Sequence, residues 1–349
     1  MVRLERLKVS GVRNLDPLDL TLPSGTVWLV GPNGAGKTSV LEAIYVLSRG
    51  SSFRGRRHGP LTSRGQVCAR VEGWLLDGEY CWEQRWTSGD RQQTRSAGPG
   101  FLVRLVGSSM HALVEGDPAL RRRFVDWNLF HVEPQFGVLR QRYRRVASQR
   151  NAWLKAGGSG RAVWDPEFAA VLTKVAHSRR QFFDRLASAF TPIAANFGAT
   201  EGLTPAWRGG LPSGVDDVAA WLDEHRAADV GRGYSFLSPA RADFVMLKDG
   251  VPWAGSRGQN KLAGILLQIA ADSVVSSTLG RGAVWLVDDL AAELDVTSQV
   301  AILPLLRQAA DQLIVTGLME PPSAATTDCA IEVFHVEQGR VEAWTATVP

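Results

Sequence analysis

The chain has 349 residues, a hydrophobic content of 45% and a formal net charge of +4. This length predicts a sizeable core and two lobes, since domains usually run to about 100–200 residues, and we expect no membrane span, because no apolar run approaches the roughly 18 residues that a spanning helix needs. The three cysteines, Cys68, Cys81 and Cys329, include no C-x-x-C pair, which argues against disulfides and zinc sites and favours a cytoplasmic location.

The first hundred residues predict a strand-rich lobe around one helix. Segments 4–9, 67–75 and 80–86 alternate between apolar and polar residues, which is typical of half-buried strands. The first of them stands near the N-terminus, where the apolar stretch of a signal peptide is missing. Residues 26–30 predict a buried strand, and residues 39–47 predict a helix with its apolar side chains on one face.

The segment between that strand and that helix matches the phosphate-binding pattern G-x-x-x-x-G-K-[ST] at every fixed position. Its residues, with the serine that follows, are Gly31, Pro32, Asn33, Gly34, Ala35, Gly36, Lys37, Thr38 and Ser39. A strand, a glycine-rich turn and a helix N-terminus together aim several backbone N–H groups at one point, where a β-phosphate binds. We expect Lys37 to reach the β- and γ-phosphates and the Thr38 hydroxyl to hold Mg²⁺. The sequence therefore predicts a nucleoside triphosphate site.

From Pro118 onward the pattern becomes helical. Residues 136–153 carry large side chains at spacings of 3 and 4, a coiled-coil seam that includes Arg150. A glycine turn at 157–160 separates this helix from a second one, for which Asp165 is the expected N-cap. Two helices joined by a short turn predict an antiparallel hairpin.

Positive charge is concentrated in this helical segment. Residues 121–185 hold fourteen Lys or Arg against five Asp or Glu, so the rest of the chain carries about −5. Six arginines are expected to face solvent: Arg140, Arg142, Arg144, Arg145, Arg179 and Arg180. Basic faces favour polyanions such as DNA, although a solvated helical surface without a partner has the same charge pattern. The triplet 121–123 also has two interpretations, contact with DNA or a salt bridge of one arginine with Asp126 or Glu133.

After about Tyr234 the chain returns to an α/β pattern. The apolar strand at 283–287 ends in Asp288 and Asp289. A carboxylate at the carboxyl end of a buried strand beside the phosphate loop is where a Mg²⁺ ligand is needed, so we assign that role to Asp288. Asp289 is expected to orient or deprotonate the attacking water. With Lys37, these two carboxylates are the predicted catalytic residues.

Ser256, Gly258 and Gln259 precede a second apolar helix, predicted over 260–273. A helix N-terminus opened by a serine and a glycine favours an anion. One triphosphate does not need two such sites. We therefore expect Ser256 to close over the γ-phosphate held by another copy of the chain, which predicts an ATP-dependent homodimer with two-fold symmetry.

These parts together resemble the ABC-type ATPase heads, and among them the RecF family of bacterial recombination-mediator proteins, over nearly the whole chain. The matching segments are 13–14, 31–38, 41–44, 114–118, 121–127, 130–134, 256–259, 288–289 and 293–295. The segment within 114–134 is the more specific, because other ABC heads lack it. Three positions depart from the family pattern: Arg257 in the signature loop, the partial motif at 238–243, and Gly317, which follows Thr316 where transporter-type heads have a switch histidine.

The resemblance implies an α/β fold, an ABC-type P-loop ATPase head with mixed sheets, made from residues 1–117 and 234–349. An inserted basic helical lobe at 118–233 would contain the hairpin. The implied activity is that of a weak DNA-dependent ATPase that dimerises with ATP and Mg²⁺, prefers double-stranded DNA near gaps or junctions, and works with RecO and RecR to load RecA. Hydrolysis is expected to be slow, because Asp289 is one methylene shorter than the glutamate usual in transporter heads. The expected location is the cytoplasm, with the nucleoid.

Two other functions remain open from the sequence. A transporter ATPase subunit would lack the basic hairpin and would bind a membrane protein, so ATP-dependent retention of DNA separates it from a clamp. A non-hydrolysing scaffold would use ATP only as structural glue. Replacing Asp288 by Asn separates this alternative, because only a clamp would then keep its DNA longer in ATP.

Overall fold

The computed structural model describes residues 3–55, 61–75, 80–87, 91–96, 101–160, 162–212, 214–215, 217–290, 294–321 and 331–343. The chain divides into two compact units, residues 1–110 with 280–349, and residues 111–279. The division made from the sequence had placed residues 234–279 with the ATPase lobe. In the structure this segment groups with the helical unit, because its long helix packs against three helices of that unit.

In chain order the described elements are β1 (Leu4–Ser10), β2 (Leu18–Thr21), β3 (Thr26–Val30), α1 (Lys37–Arg49), β4 (Cys68–Leu75), β5 (Tyr80–Thr87), β6 (Arg91–Ser96), β7 (Val103–Val106), α2 (Ala112–Glu115), α3 (Pro118–Val132), α4 (Gln135–Lys155), α5 (Asp165–Ala194), β8 (Leu203–Arg208), α6 (Val218–Glu224), α7 (Arg226–Arg232), β9 (Asp243–Lys248), β10 (Val251–Pro252), α8 (Arg257–Leu279), β11 (Ala283–Val287), α9 (Val296–Ala309), β12 (Ala310–Gly317), β13 (Ile331–Glu337) and β14 (Arg340–Ala343).

The first unit contains two sheets. One is antiparallel, with the order β2-β1-β4-β5-β6. The other has the order β14-β13-β3-β12-β11-β7, in which β14 is antiparallel to β13 and all other neighbours are parallel. Because β3, β12 and β11 are adjacent and parallel, their carboxyl ends meet at one edge of the sheet. An α/β unit with mixed sheets is therefore confirmed.

Helix α1 packs against strands of both sheets. The reason is visible in its sequence, since Val40, Leu41, Ile44 and Leu47 recur at helical spacing and are all at most 1% exposed. Strand β3 is buried at all five positions, as expected for a central parallel strand covered on both faces. The core of this unit thus holds β3 and α1, the two elements that flank the phosphate loop.

The second unit combines helices with a small antiparallel sheet of order β10-β9-β8. Helices α4 and α5 follow each other in the chain and pack together. The seam predicted on α4 is present, with Phe136, Val146 and Arg150 buried. Helix α8 packs against α2, α3 and α5 and forms the centre of the unit.

Helix α8 corrects one expectation. By length and composition alone, its 23 residues are apolar enough to cross a membrane. The prediction that no apolar run approaches this length is therefore wrong, because small residues such as Ala and Ser lie between its larger apolar ones without adding charge. Within its most apolar stretch, 67% of the residues are buried in the protein, and the core helix of a globular unit has the same composition.

Candidate functional site

The phosphate loop joins the carboxyl end of β3 to the first turn of α1. Gly31, Gly34 and Gly36 have φ angles of 154°, 81° and 119°, which favour glycine. A Cβ atom at Gly31 would lie 2.0 Å from the carbonyl oxygen of Val336, and one at Gly36 would lie 2.9 Å from a methyl group of Leu15. A Cβ atom at Gly34 would meet nothing within 4 Å. The two ends of the loop are therefore packed tightly, whereas its middle borders open space.

Three hydrogen bonds hold the loop from outside. The Asn14 side-chain Nδ2 donates to the backbone carbonyl of Gly34 at 2.8 Å, and the Ser39 hydroxyl donates to the Asn14 side-chain Oδ1 at 2.8 Å. The backbone N–H of Gly339 donates to the carbonyl of Ala35 at 2.8 Å. Asn14 thus links the loop to the first turn of α1. The sequence marks segment 13–14 only through the family resemblance and does not predict its contact with the loop.

Lys37 is buried and bends back over the loop. Its Nζ donates to the carbonyls of Gly31 at 2.6 Å and Pro32 at 2.9 Å. Burial lowers the pKa of Lys37, and the nearby carboxylates of Asp289 and Asp288 act in the opposite direction. A bound anion would therefore stabilise the charged form of Lys37, which burial disfavours.

Asp288 follows β11 and accepts two hydroxyl hydrogen bonds. The Thr38 hydroxyl donates to Asp288 Oδ1 at 2.8 Å, and the Thr316 hydroxyl donates to the same oxygen at 3.0 Å. Burial raises the pKa of Asp288, while the bonds from Thr38 and Thr316 partly counteract that rise. A carboxylate and a hydroxyl oxygen this close are hard oxygen ligands of the kind that Mg²⁺ takes beside a nucleotide. The residues present therefore fit the ion predicted for Thr38 and Asp288.

Asp289 has a backbone conformation that is unusual for an aspartate. Its φ angle is 54°, and its N–H donates to the Thr316 hydroxyl oxygen at 2.8 Å. Thr316 therefore accepts from one of these aspartates while it donates to the other. Asp289 Oδ1 is buried and has no hydrogen-bond partner in the described part of the chain. A buried acceptor without a donor is costly, and a water molecule beside a bound triphosphate would supply the donor.

A cluster of charged residues that was not predicted from the sequence reaches the same cleft through Arg54. Glu42 is fully buried and accepts two bonds from Arg13, at 2.9 and 2.7 Å. It also accepts a hydrogen bond from the Ser52 hydroxyl, and Arg54 Nε lies 3.7 Å from it. The positive charge of Arg54 also acts to lower the pKa of Asp288, as a lesser cause than burial. No local pattern singles out Arg54, because its partners lie in α1 and after β11.

These groups surround one cleft of about 180 Å³ at the carboxyl edge of the parallel strands. The lining residues are Asn14, Asn33, Gly34, Ala35, Gly36, Lys37, Thr38, Ser39, Arg54, Asp288, Asp289 and Thr316. The structure therefore brings the phosphate loop together with both predicted aspartates.

The N-terminus of α8 belongs to the second unit. Ser256, Arg257 and Gly258 are exposed. The Ser256 N–H donates to Gln259 Oε1 at 2.9 Å, and the Gln259 N–H donates to Ser256 Oγ at 3.3 Å. This reciprocal pair is a capping box. Glu293, the first residue of the family-matching segment 293–295, lies outside the described residues.

Two arginines proposed to face solvent or DNA are buried instead. Arg179 donates to both carboxylate oxygens of Asp126, at 2.7 and 2.9 Å. Arg121 does the same to Asp243, at 2.8 and 2.9 Å. The prediction of an exposed Arg179 is therefore wrong. The salt-bridge interpretation of the 121–123 triplet holds for Arg121, but its partner lies in the partial motif at 238–243.

Asp165 also differs from its prediction. Trp164 is the N-cap of α5, and no side chain caps this end. The Asp165 carboxylate instead accepts from Arg150 Nε at 2.7 Å, and Arg150 donates to the buried Asp229 at 2.9 Å. The seam arginine thus has carboxylate partners from two helices, which is how a buried charge is tolerated.

Other arginines of the basic segment do face solvent. Arg140, Arg142 and Arg180 are exposed and pair with Asp126, Glu167 and Asp184. Arg123, Arg144 and Arg145 are also exposed, and no carboxylate within the described ranges pairs with them. With the exposed Lys155 at the end of α4, these three arginines are cations of α3 and α4 that could meet an anionic partner.

Known proteins resemble this chain in sequence and in fold. Residues 6–65 match the family model described as an AAA domain. DNA replication and repair protein RecF of Stenotrophomonas maltophilia is 33% identical, over 98% of this chain and 100% of the relative. The RecF protein of Pseudomonas syringae pv. tomato is also 33% identical, over 97% of each chain.

Solved structures show the same fold. A structure of the recombination mediator protein RecF with ATP, in the RecFOR pathway, superposes with a TM-score of 0.80 at 20% identity and covers 98% of each chain. An Smc head domain bound to the C-terminal domain of ScpA, derived from Pyrococcus furiosus, gives a TM-score of 0.56 at 15% identity, over 99% of this chain and 96% of that one. The fold is thus an ABC-type ATPase head. With identity of 33% over nearly its full length, the chain belongs to the RecF family of DNA replication and repair proteins.

Proposed function

We propose that this protein is an ATP-gated DNA clamp. It binds ATP, dimerises head to head around two shared nucleotides, holds DNA while ATP is intact, and opens after slow hydrolysis. The observation that carries this proposal is the 2.8 Å contact between the Thr38 hydroxyl and Asp288 beside a complete phosphate loop. Family membership supports the cellular context, namely DNA replication and repair.

ATP binding uses the phosphate loop and Lys37. The N–H groups of residues 34–38 surround the phosphates, because the first turn of a helix leaves its donors without intrahelical acceptors. Without nucleotide, Lys37 donates to two loop carbonyls at 2.6 and 2.9 Å. When ATP binds, Lys37 donates instead to oxygens of the β- and γ-phosphates. Thr38 and Asp288 would hold Mg²⁺, which neutralises phosphate charge when bound.

Hydrolysis is assigned to Asp289. Its carboxylate lines the phosphate cleft, where it accepts a hydrogen bond from the attacking water and orients that water. The water oxygen bonds to the γ-phosphorus, the bond to the β-phosphate oxygen breaks, and Asp289 receives the water proton. The carboxylate reaches less far than a glutamate would. We therefore expect turnover well below about 10 s⁻¹, the median enzyme rate.

Dimerisation requires the N-terminus of α8. Ser256 and Gly258 are exposed, and Gln259 keeps the Ser256 backbone in place. In the dimer these residues close over the γ-phosphate bound by the other copy. ATP then favours the dimer, because this contact exists only when the γ-phosphate is present.

Sedimentation with Ser256→Arg tests the shared site. The large cation blocks closure at the exposed N-terminus, so we expect ATP-induced dimers to be lost while monomers bind ATP with an affinity within about twofold of the original. Ser277→Arg, an exposed serine near the other end of the same helix, serves as the matched control. If the unsubstituted protein stays monomeric in saturating Mg·ATP, the clamp itself is wrong. If Ser256→Arg also abolishes ATP binding by the monomer, the assignment to a second copy is wrong.

DNA binding is assigned to the exposed arginines of α3 and α4. Arg123, Arg144 and Arg145 have no carboxylate partner within the described residues, whereas Arg142 donates to Glu167 at 2.7 Å. Contacts of this kind go to phosphates, so binding is sensitive to salt and largely independent of sequence.

The double variant Arg144→Gln with Arg145→Gln tests this surface. If each arginine contacts one phosphate, the slope of log affinity against log salt should flatten by about 2. Arg142→Gln removes one positive charge at a position already engaged by Glu167 and should change the slope by less than half as much. Equal slopes for the double variant and the original protein in fluorescence-anisotropy titrations would exclude this surface.

The remaining assignments follow from the RecF family. We propose that the clamp acts in the cytoplasm, at the nucleoid, on double-stranded DNA near gaps or junctions, and works with RecO and RecR to load RecA. A transporter subunit would not retain DNA in ATP, and a scaffold would hydrolyse none. Gel-shift lifetimes in ATP and ADP, with a phosphate-release assay, separate these three functions.

A further inference from the structure

Asn260, in the first turn of α8, is 3% exposed and uses both ends of its side-chain amide. Its Nδ2 donates to Glu115 Oε2 at 2.7 Å and to the carbonyl of Gly255 at 3.1 Å. Its Oδ1 accepts from the indole N–H of Trp253 at 2.8 Å. One buried amide thus joins helix α2, helix α8 and the segment that leads into α8.

The segment 253–255 is shaped around these bonds. The backbone N–H of Trp253 donates to the carbonyl of Met246 in β9 at 2.9 Å. A Cβ atom at Gly255 would lie 2.4 Å from the Trp253 ring, so the indole occupies the space that any other side chain would need. Asn260 therefore holds both sides of this turn, the indole by its oxygen and the Gly255 carbonyl by its nitrogen.

This arrangement fixes Ser256, the residue that follows. The Asn260 N–H donates to the Ser256 carbonyl at 2.9 Å, and the Gln259 N–H donates to Ser256 Oγ at 3.3 Å. Because the backbone N–H occupies one acceptor site of the hydroxyl, the O–H remains able to donate to a phosphate outside the protomer. The amide of Asn260 orients the backbone on which that hydroxyl stands.

We propose that Asn260 is the positioning residue of the shared nucleotide site, with Glu115 as its anchor. It presents Ser256 to the γ-phosphate bound by a second copy of this chain. Glu115 belongs to the segment 114–118, which the nucleotide site does not use. This inference rests on the proposed ATP-dependent dimer and adds the residue pair that prepares one side of it.

The role of Asn260 and Glu115 can be tested by changing which of the two side chains donates the hydrogen bond between them. Asn260→Asp keeps the shape and the acceptor for Trp253 but replaces two N–H donors by a carboxylate oxygen, which then faces the Glu115 carboxylate and the Gly255 carbonyl. We expect the dimer fraction in Mg²⁺ and a non-hydrolysable ATP analogue to fall at least tenfold by sedimentation. The monomer's affinity for the analogue should stay within twofold, because Asn260 is not among the residues that line the phosphate cleft.

Adding Glu115→Gln to Asn260→Asp restores the hydrogen bond with its direction reversed, since the amide introduced at position 115 then donates to the carboxylate introduced at position 260. We expect this double variant to recover at least half of the original dimer, and Glu115→Gln alone to dimerise nearly as well as the original. Asn196→Asp, which introduces the same charge at an exposed position, should change neither quantity. Thermal unfolding of the single and double variants separates a loss of folding, which relief of the repulsion would also rescue, from a loss of dimer alone.

Each other result has a separate meaning. Dimerisation of Asn260→Asp at the original level overturns the inference, and so does failure of Glu115→Gln to rescue it. Loss of cooperative thermal unfolding or of monomer nucleotide binding in Asn260→Asp would make Asn260 a folding residue and also overturn the inference. A monomeric original protein in the same analogue would instead refute the proposed dimer.

Discussion

Two helix N-termini of this protein differ in how much of a binding site surrounds them. The N-terminus of α1 lies at the carboxyl edge of parallel strands, with Lys37 buried, Asp288 bonded to Thr38, and the loop held by Asn14. The N-terminus of α8 is exposed at Ser256 and Gly258, and its polar groups there bond mainly to its own turn.

The difference shows what a helix N-terminus needs in order to bind an anionic ligand without help from a second copy of the chain. At α1 a cation, a hydroxyl and two carboxylates surround the same space, so the ligand can be held from several sides within one unit. At α8 the protein supplies the exposed Ser256 hydroxyl and rigidity through the buried Asn260, whereas the buried lysine and the two aspartates belong to the cleft at α1. The first N-terminus therefore has the parts of a binding site, whereas the second has those of a lid for a site that lies elsewhere.

A pair of glycine substitutions gives the largest expected contrast. Gly31→Ala places a Cβ atom 2.0 Å from the Val336 carbonyl at a φ of 154°, so the loop or β13 must move. We expect a loss of about 3 kcal/mol in the free energy of unfolding, with ATP binding lost as well. Urea denaturation and calorimetric titration measure the two effects.

Gly258→Ala is the matched substitution at α8. Its Cβ atom would meet nothing within 4 Å, and alanine in a helix is favoured over glycine by about 1 kcal/mol. Folding and monomer ATP binding should therefore remain, while ATP-induced dimerisation weakens because the added methyl group stands where the γ-phosphate approaches. Equal dimerisation of Gly258→Ala and the original protein would contradict the lid.

Asp288→Asn should change the stability of the protein by a smaller amount, and the sign of this change follows from the pKa of Asp288. Burial raises the pKa of Asp288, so its ionised form costs stability at neutral pH, and this cost disappears as the pH falls through the raised value. Asn keeps the oxygen that accepts from Thr38 and Thr316. Without nucleotide, the variant should be more stable than the original at pH 7, and the gain should shrink toward acidic pH in thermal melts.

Asp295→Asn is the control, because it should change the stability in the opposite direction. Hydrogen bonds from Ser298 lower the pKa of Asp295 at the start of α9, so its ionised form stabilises the protein at neutral pH and loses this effect on acidification. The variant should melt below the original at pH 7. A gain in stability for both variants would mean that burial at Asp288 is not the cause.

With DNA and ATP, Asp288→Asn should also hold DNA longer than the original.

The sequence predicted the parts of the site that local pattern determines. The phosphate loop follows from eight consecutive residues, and β3 was placed correctly because a short apolar run between glycines has few other conformations available. Asp288 could be assigned because a parallel strand places the residue after it at the edge where the loop lies. Ser256 was located as the start of α8, but the partner assigned to it remains a proposal.

Partners distant in the chain could not be predicted. Arg179 and Asp126 are 53 positions apart, and Arg121 and Asp243 are 122 apart. Helical spacing placed Arg179 off the seam with α4, yet that side of α5 faces another helix of the same unit. Arg54 was missed for the same reason, since Glu42 and the cleft become its neighbours only after folding.

The hydrogen bond between Gly339 and Ala35 has a consequence for synthesis. Strand β13 supplies the Val336 carbonyl that closes on Gly31, and the turn after it supports the middle of the loop. Both contacts come from a hairpin that leaves the ribosome about three hundred residues after the loop itself. A nascent chain therefore carries an unsupported nucleotide loop until residues 336–339 have been made, which delays any capture of ATP until this hairpin has emerged and folded.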